Sequence, residues 1–311
     1  MTESNSDLPT FLKSPVAVVC YDAGAANLIF AWLREWANLG LLDKHEIWLV
    51  LQGPAEVAWH TQEIVLPKVQ LHSEINSVLS NVNCVLTGTG WGSSLEHDAR
   101  LLAQLNQTPC IAVIDHWTNF QQRFERNGHV VFPDVIWVAD YYAADLAKKL
   151  FKTIRVDVLP NVYLNEMVKA IPPVAAESQT LLYVLEPLRT TWGREKEGEF
   201  QALDYFVQNK QLIIGTQQVN IILRPHPSED AKKYKNWILE NANLNPKLDT
   251  FLTLNESIAN AKWVVGAETF ALLIAVAAKR ITWSSLPPWA HRLRLPQSSI
   301  KQMRDYEKMN Y

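Results

Sequence analysis

The chain has 311 residues, 48% of them hydrophobic and 20% charged, and a formal net charge of −3 at pH 7. That length suits two domains rather than one core, and a near-neutral charge with no long basic run excludes nucleic-acid binding as the main task. No apolar stretch reaches the ~18 residues that a membrane-spanning helix needs.

In chain order, residues 1–9 are polar and acidic and lack the layout of a signal peptide. Residues 16–20 form a short apolar run that leads into Tyr21, Asp22, Ala23, Gly24, Ala25, Ala26 and Asn27. Leu28, Ile29, Trp32, Leu33, Trp36 and Leu39 then recur with helical spacing. Strand, small-residue turn and helix open a doubly wound α/β domain. Asp22 stands at the strand's carboxyl end, where it serves equally as a helix N-cap or as a site residue. The turn lacks GxGxxG, so no dinucleotide fingerprint is read here.

Residues 45–51 predict a second strand and 83–86 a core strand that empties into Thr87, Gly88, Thr89, Gly90, Trp91, Gly92, Ser93 and Ser94 ahead of a helix over 95–105. A strand followed by a Gly/Ser/Thr loop and a helix aims free amides at an anion or a carbonyl-rich ligand. It has no Gly-Lys-Ser/Thr, which disfavours ATP hydrolysis. The strand over 109–114 ends in Asp115, His116, Trp117, Thr118, Asn119 and Phe120, with Arg123 and Arg126 following: an acid, an imidazole and a ring at one strand end. Strands over 135–139 and 155–159, with a helix over 141–151 between them, complete a first domain of five or six strands.

The pattern breaks over 168–180, around Ile171, Pro172 and Pro173, which marks the domain boundary. Expected domains are 1–170, 171–288 and a tail, 289–311. In the second domain 180–185 predicts a strand leading into Glu186, Pro187, Leu188 and Arg189, and 199–207 a helix. Residues 219–223 predict a buried strand that stops at Arg224, Pro225, His226, Pro227 and Ser228. The prolines hold a cation and an imidazole beyond the carboxyl end of a strand, where ligands of open parallel sheets bind; a stiff surface loop explains the same residues. A helix over 231–241, a short strand over 251–254, a helix over 258–261 and a strand over 263–266 follow. Ala267, Glu268 and Thr269 then precede an apolar helix over 270–278, and 281–284 is a last strand.

Cys20, Cys84 and Cys110 lie in or beside apolar runs without CxxC spacing, which predicts reduced core thiols in a cytoplasmic protein. Most of the 12 tryptophans are expected in the core, whereas Trp91, Trp117 and Trp192 fall in predicted loops and could line a pocket.

Two α/β domains joined by a proline-containing linker resemble the GT-B glycosyltransferases, in which two Rossmann-like doubly wound domains face a cleft. Arg224 to Ser228 is similar to the His-Pro motif of bacterial transferases that use CMP-activated sugars and of UDP-N-acetylglucosamine 2-epimerases. Val264 to Leu273 is similar to the strand, turn and helix that receive the nucleotide phosphates there. Asp115 to Phe120 stands where the epimerases carry a His-centred loop, centred here on His116. Asp22 to Gly24 is loosely like the motif that carries the transferases' base.

This resemblance implies a metal-independent, inverting glycosyltransferase moving a sugar from a nucleotide-sugar donor to a surface polysaccharide or glycoconjugate acceptor, with no cofactor beyond the donor. Asp22 would be the base, with Asp115 as the competing candidate. His226 would act as acid or charge partner on the leaving phosphate, and Arg224 would orient the loop or the phosphate. Ser228, Gly266 and Thr269 would bind phosphate and Glu268 a ribose hydroxyl. Where the transferases place a serine pair at the phosphate helix, this chain has Glu268 and Thr269, and Ser284 with Ser285 one strand later is a possible substitute. The basic, aromatic tail (Trp289, His291, Arg292, Arg294, Lys301, Arg304, Tyr306, Lys308, Tyr311) is expected to pack back on the first domain, with peripheral contact to the inner face of a membrane, where lipid-linked acceptors reside, as the other role. A nucleotide-sugar 2-epimerase or hydrolase and a non-catalytic sugar-nucleotide binder of the same fold are the alternatives.

Overall fold

The computed structural model describes residues 8–306; the expectations for residues 1–7, Lys308 and Tyr311 lie outside the described residues. The chain divides into two compact units between Tyr163 and Leu164, a few residues before the expected boundary at 170/171. The reason is a helix over Val162–Lys169 whose later turns belong to the second unit: Asn255 Nδ2 donates to the Met167 carbonyl at 3.2 Å.

The first unit runs β1 (Val16–Cys20), α1 (Ala23–Asn38), β2 (Ile47–Leu51), α2 (Gly53–Thr61), β3 (Val69–Leu71), α3 (Ile75–Leu79), β4 (Cys84–Thr87), α4 (Leu95–Leu105) and β5 (Cys110–Ile114). A two-residue hairpin, β6 (Glu125–Arg126) and β7 (His129–Val130), precedes β8 (Val135–Val138), α5 (Tyr141–Leu150), β9 (Arg155–Val158) and α6 (Val162–Lys169). Seven strands form one parallel sheet in the order β3-β2-β1-β4-β5-β8-β9. It has one strand more than the upper expectation because β3, a three-residue edge strand with two exposed positions, is too short for its Val-Gln-Leu alternation to mark a strand.

A parallel sheet is covered on both faces, and β1 shows how. Val16, Val18 and Cys20 join one apolar cluster with Trp32 and Trp36 of α1 and Trp137 of β8, whose rings meet edge to face at 5.9 and 6.2 Å. Ala17 and Val19 join the other, with Leu95 and Ala99 of α4. All three cysteines are free and buried, and burial pushes the Cys84 thiol up to about 12.

The second unit continues with β10 (Thr180–Val184), α7 (Gly198–Asn209), α8 (Gln211–Ile214), β11 (Asn220–Arg224), α9 (Lys235–Glu240), β12 (Lys247–Leu248), α10 (Leu254–Asn260), β13 (Trp263–Gly266), α11 (Ala271–Ala277), β14 (Ile281–Ser284) and β15 (Lys301–Gln302). Its six parallel strands lie in the order β12-β11-β10-β13-β14-β15. In each sheet the first strand is central and the order reverses beside it, between β1 and β4 and between β10 and β13.

Three expectations are corrected here. The strand over 251–254 is a bend with Leu252 92% exposed, and the edge strand is β12 instead. The helix over 231–241 splits into a 3₁₀ turn at Ala231–Tyr234 followed by α9. The tail, expected to return to the first domain, is part of the second unit in its described residues. There β15 extends the sheet beyond β14, Met303 is buried in the second core, and Tyr306 packs on Trp283. Among the described residues no helix is long and apolar enough to cross a membrane.

Candidate active site

In the first unit the chain leaves β1 through Tyr21 and Asp22. Asp22 is extended (φ −82°, ψ 135°), and its carboxylate accepts a long bond from the Gly24 N–H at 3.4 Å, so it does cap α1. β4, its neighbour at the strand-order reversal, runs into the glycine loop, and β5 ends at Asp115. These three strand ends are where an open parallel sheet places a ligand.

Glu96, on the first turn of α4, fastens two of them. Only 1% exposed, its carboxylate accepts from the N–H groups of Tyr21 (3.0 Å) and Asp22 (3.3 Å) and also from that of Gly90. Burial raises its pKa in spite of these donors. Four residues on, the buried Arg100 donates to the carbonyls of Gly88 (3.1 Å), Arg123 (3.1 Å) and Val131 (3.2 Å), and burial lowers its pKa to about 10.

Arg123 in turn donates to Asp115 Oδ1 at 2.8 Å, to the Thr89 hydroxyl at 3.1 Å and to the Thr118 carbonyl at 3.1 Å. Asp115 presses so closely on the turn after Asp22 that a β-carbon on Gly24 would lie 1.9 Å from Asp115 Oδ2. Asp22 and Asp115 thus share one place and are compensated unequally. Asp115 holds the guanidinium, whereas burial first, and then the negative charge of Asp115, raise the Asp22 pKa above its ordinary 3.8. Two neighbouring carboxylates in unequal surroundings are the usual starting point for dividing acid and base roles. His116 lies on the same loop, with Nδ1 3.1 Å from the Thr118 hydroxyl, and Trp117 is buried with its Nε1–H donating to both Asp140 oxygens. Sequence reasoning missed Glu96, which at four residues from Arg100 has the spacing of a surface ion pair.

In the second unit the sequence placed its site on β11 and β13; the structure adds β10 between them. Glu186, at the end of β10, accepts the Glu268 N–H, and burial, with the Glu268 charge adding to it, raises its pKa to about 7. Glu268 is buried, and its carboxylate is filled by Arg294, through the backbone N–H (2.7 Å) and the guanidinium (Nε, 2.6 Å), with His291 Nε2 at 3.3 Å. Glu268, expected to bind a ribose hydroxyl, here ties the tail to the β13 loop. Two carboxylates this close need a cation, and Arg294 supplies it.

Of the two roles expected for Arg224, the contacts are those of a loop brace. Its guanidinium donates to Asp249 (2.7 Å), to the Ser257 hydroxyl (2.7 Å) and to the carbonyls of Phe251 (3.1 Å) and Leu252 (3.2 Å), so it braces the loops around β12 and α10. Ser284 and Ser285 are buried and donate to the carbonyls of Ala267 and Gly266, which removes them as a serine pair for a ligand. Thr269 accepts from the Ala271 N–H at 3.3 Å at the start of α11. His226 is exposed. Its Nδ1 accepts the Ser228 N–H at 3.2 Å and lies 2.7 Å from the Ser228 hydroxyl, so the neutral ring carries its proton on Nε2. Among the described residues no cluster of His, Cys, Asp and Glu is placed to hold a metal ion.

No protein-family model and no curated protein matches this chain. Solved structures do. The UDP-GlcNAc 2-epimerase of Methanocaldococcus jannaschii superposes with a TM-score of 0.57 at 12% identity, over 86% of this chain and 83% of that one. HepE from Anabaena, solved with UDP, gives 0.53 at 8%, over 86% and 80%. A glycosyltransferase from Rickettsia africae gives 0.52 at 10%, over 88% and 79%. The chain has the GT-B fold. At these identities GT-B describes the architecture of the two units, and the chemistry has to be argued from the residues. On that count the first unit of this GT-B chain brings together Asp22 and Asp115, while the second uses Arg224 and Glu268 to hold its own loops.

Proposed function

We propose that this chain is a glycosyltransferase that moves a sugar from a nucleotide-sugar donor to a hydroxyl acceptor with inversion. The observation that carries the reading is the unequal carboxylate pair: Asp115 is bound to Arg123, whereas Asp22 accepts a long backbone bond and has a raised proton affinity. That makes Asp22 the base rather than Asp115, since a group with proton affinity raised toward the working pH is the better proton acceptor. Asp22 takes the acceptor's hydroxyl proton, the oxygen bonds to the anomeric carbon, and the carbon–oxygen bond to the donor phosphate breaks with its electrons going to the phosphate.

The second unit is assigned the nucleotide. His226 presents Nε2–H as a hydrogen-bond donor to the leaving phosphate, with the Thr269 hydroxyl as a second phosphate donor. Preorganised donors of this kind act where charge develops. Support comes from the exposed imidazole fixed by Ser228 and from the likeness to HepE, which was solved with UDP. The acceptor is a glycan or glycoconjugate. The test is a panel of UDP-, CMP-, GDP- and CDP-linked sugars. A donor at a hundredfold excess over its Kd stabilises the protein by about 2.7 kcal/mol and shifts its melting midpoint. Product analysis with and without acceptor then decides the reaction: transfer supports the proposal, while isomerisation or release of the sugar regardless of acceptor, or no shift with any donor, overturns it.

A further inference from the structure

We infer that Trp91 is the platform on which a neutral pyranose of the acceptor stacks beside Asp22; this rests on the transferase reading above and gives that reading its acceptor class. Trp91 lies in the loop between β4 and α4, and 49% of it is exposed. The loop is nevertheless fixed, because Arg126 donates to the carbonyls of Trp91 (3.0 Å) and Ser93 (2.5 Å).

Its two neighbours are glycines pressed on the base and the residue before it. A β-carbon on Gly90 would lie 2.5 Å from Cβ and 3.0 Å from Oδ2 of Asp22, and one on Gly92 would lie 2.9 Å from Cε1 of Tyr21. The backbone on both sides of Trp91 therefore wraps Tyr21 and Asp22. The Arg123 guanidinium stands 5.3 Å from the indole centroid while donating to Asp115. The indole thus adjoins the Arg123–Asp115 pair, and leaving half of Trp91 in water forgoes the burial that an indole otherwise gains.

Sugar chemistry fits that surface. One face of a pyranose is a sheet of C–H bonds that packs on an aromatic ring, and the hydroxyls at its edge then reach hydrogen-bonding groups. Charge selects among sugars. Arg123 already faces the indole, which disfavours a cationic amino sugar, and Asp22 and Asp115 repel an acidic one. A hydroxyl of the stacked sugar is placed to give its proton to Asp22.

The experiment uses the full chain, saturation-transfer NMR, and methyl glycosides of glucose, galactose and N-acetylglucosamine, with methyl glucuronide and glucosamine as charged comparisons. The parent binds the neutral pyranosides, Trp91→Ala weakens that binding about tenfold or more, and Trp91→Phe restores most of it. Neutral pyranosides that bind Trp91→Ala as well as the parent, that fail to bind the parent, or that bind it more weakly than the charged sugars overturn the inference. The donor thermal shift is measured on the same proteins, and its retention in Trp91→Ala shows that the fold is intact. Pyranosides held through Trp91 with no donor recognised leave the platform standing and sink the transferase reading. Transfer with pyranoside binding indifferent to Trp91 sinks the platform alone.

Discussion

Removing the charge of Glu186 while keeping its shape should make the protein more stable at neutral and alkaline pH. Glu186 sits at the strand-order reversal of the second sheet, and burial holds its carboxyl at about 7 instead of the ordinary 4.5. The unfolded chain loses this proton near 4.5 and the folded chain near 7, so between those values the folded state holds more protons. Stability from this group is full below 4.5 and is lost as the pH rises through 7. By linkage, the ionised side chain costs the folded state about 3 kcal/mol at pH 8 and above. Glu186→Gln keeps an oxygen to accept the Glu268 N–H and has nothing to ionise. Urea unfolding of parent and variant at pH 5 and pH 8 should show the variant gaining about 2–3 kcal/mol on the parent between the two, in the step that belongs to the second unit if the two units unfold separately. Parallel stability profiles from pH 5 to pH 8 would refute the reasoning.

Gly24→Ala places a methyl 1.9 Å from Asp115 Oδ2 and must push that carboxylate off Arg123, so turnover should fall and stability drop by about 1–3 kcal/mol; an active variant of parental stability contradicts this. Arg224→Ala leaves Asp249, 3% exposed, without its cation and should cost about 3–5 kcal/mol in urea unfolding while the folded protein keeps its donor affinity. Lost donor affinity at unchanged stability would return Arg224 to the phosphate. His226→Ala, at an exposed position, should leave stability within about 0.5 kcal/mol and lower kcat by on the order of 10²–10³; unchanged kcat removes the imidazole from the reaction.

The fold was legible where burial and periodicity agree. The buried run of β1, the Asp22 cap and the Trp32/Trp36 stripe of α1 mark strand, turn and helix in one stretch, and the α4 bounds follow from Leu95, Ala99 and Leu102. What failed was exposed or short. Phe251 and Leu252 are apolar residues on a bend, held there by carbonyl bonds to Arg224 rather than by a ladder, and β3 has too little buried surface to pattern its residues. The site was half legible. Asp22, Asp115 and His226 stand at strand ends, which a strand-and-turn reading locates. The partners of charged residues are set by the fold: Arg224 meets Asp249 and Ser257 across 25 and 33 positions, and Glu268 meets Arg294 from the tail. Glu96 and Arg100 look like a solvated pair on a helix, and only the placement of the β1 and β4 loops turns each inward to backbone groups.

The central claim is that Asp22 takes the acceptor proton, and Asp22→Asn tests it most directly. Asparagine is as good an N-cap and retains an oxygen for the Gly24 N–H, so the fold and the donor-induced melting shift should survive. Transfer measured with the donor that gives this shift should fall by on the order of 10²–10⁴ in kcat, and parental activity should rise with pH through a pKa above the ordinary carboxylate value. An Asp22→Asn protein that binds donor and transfers sugar at the parental rate would contradict the account.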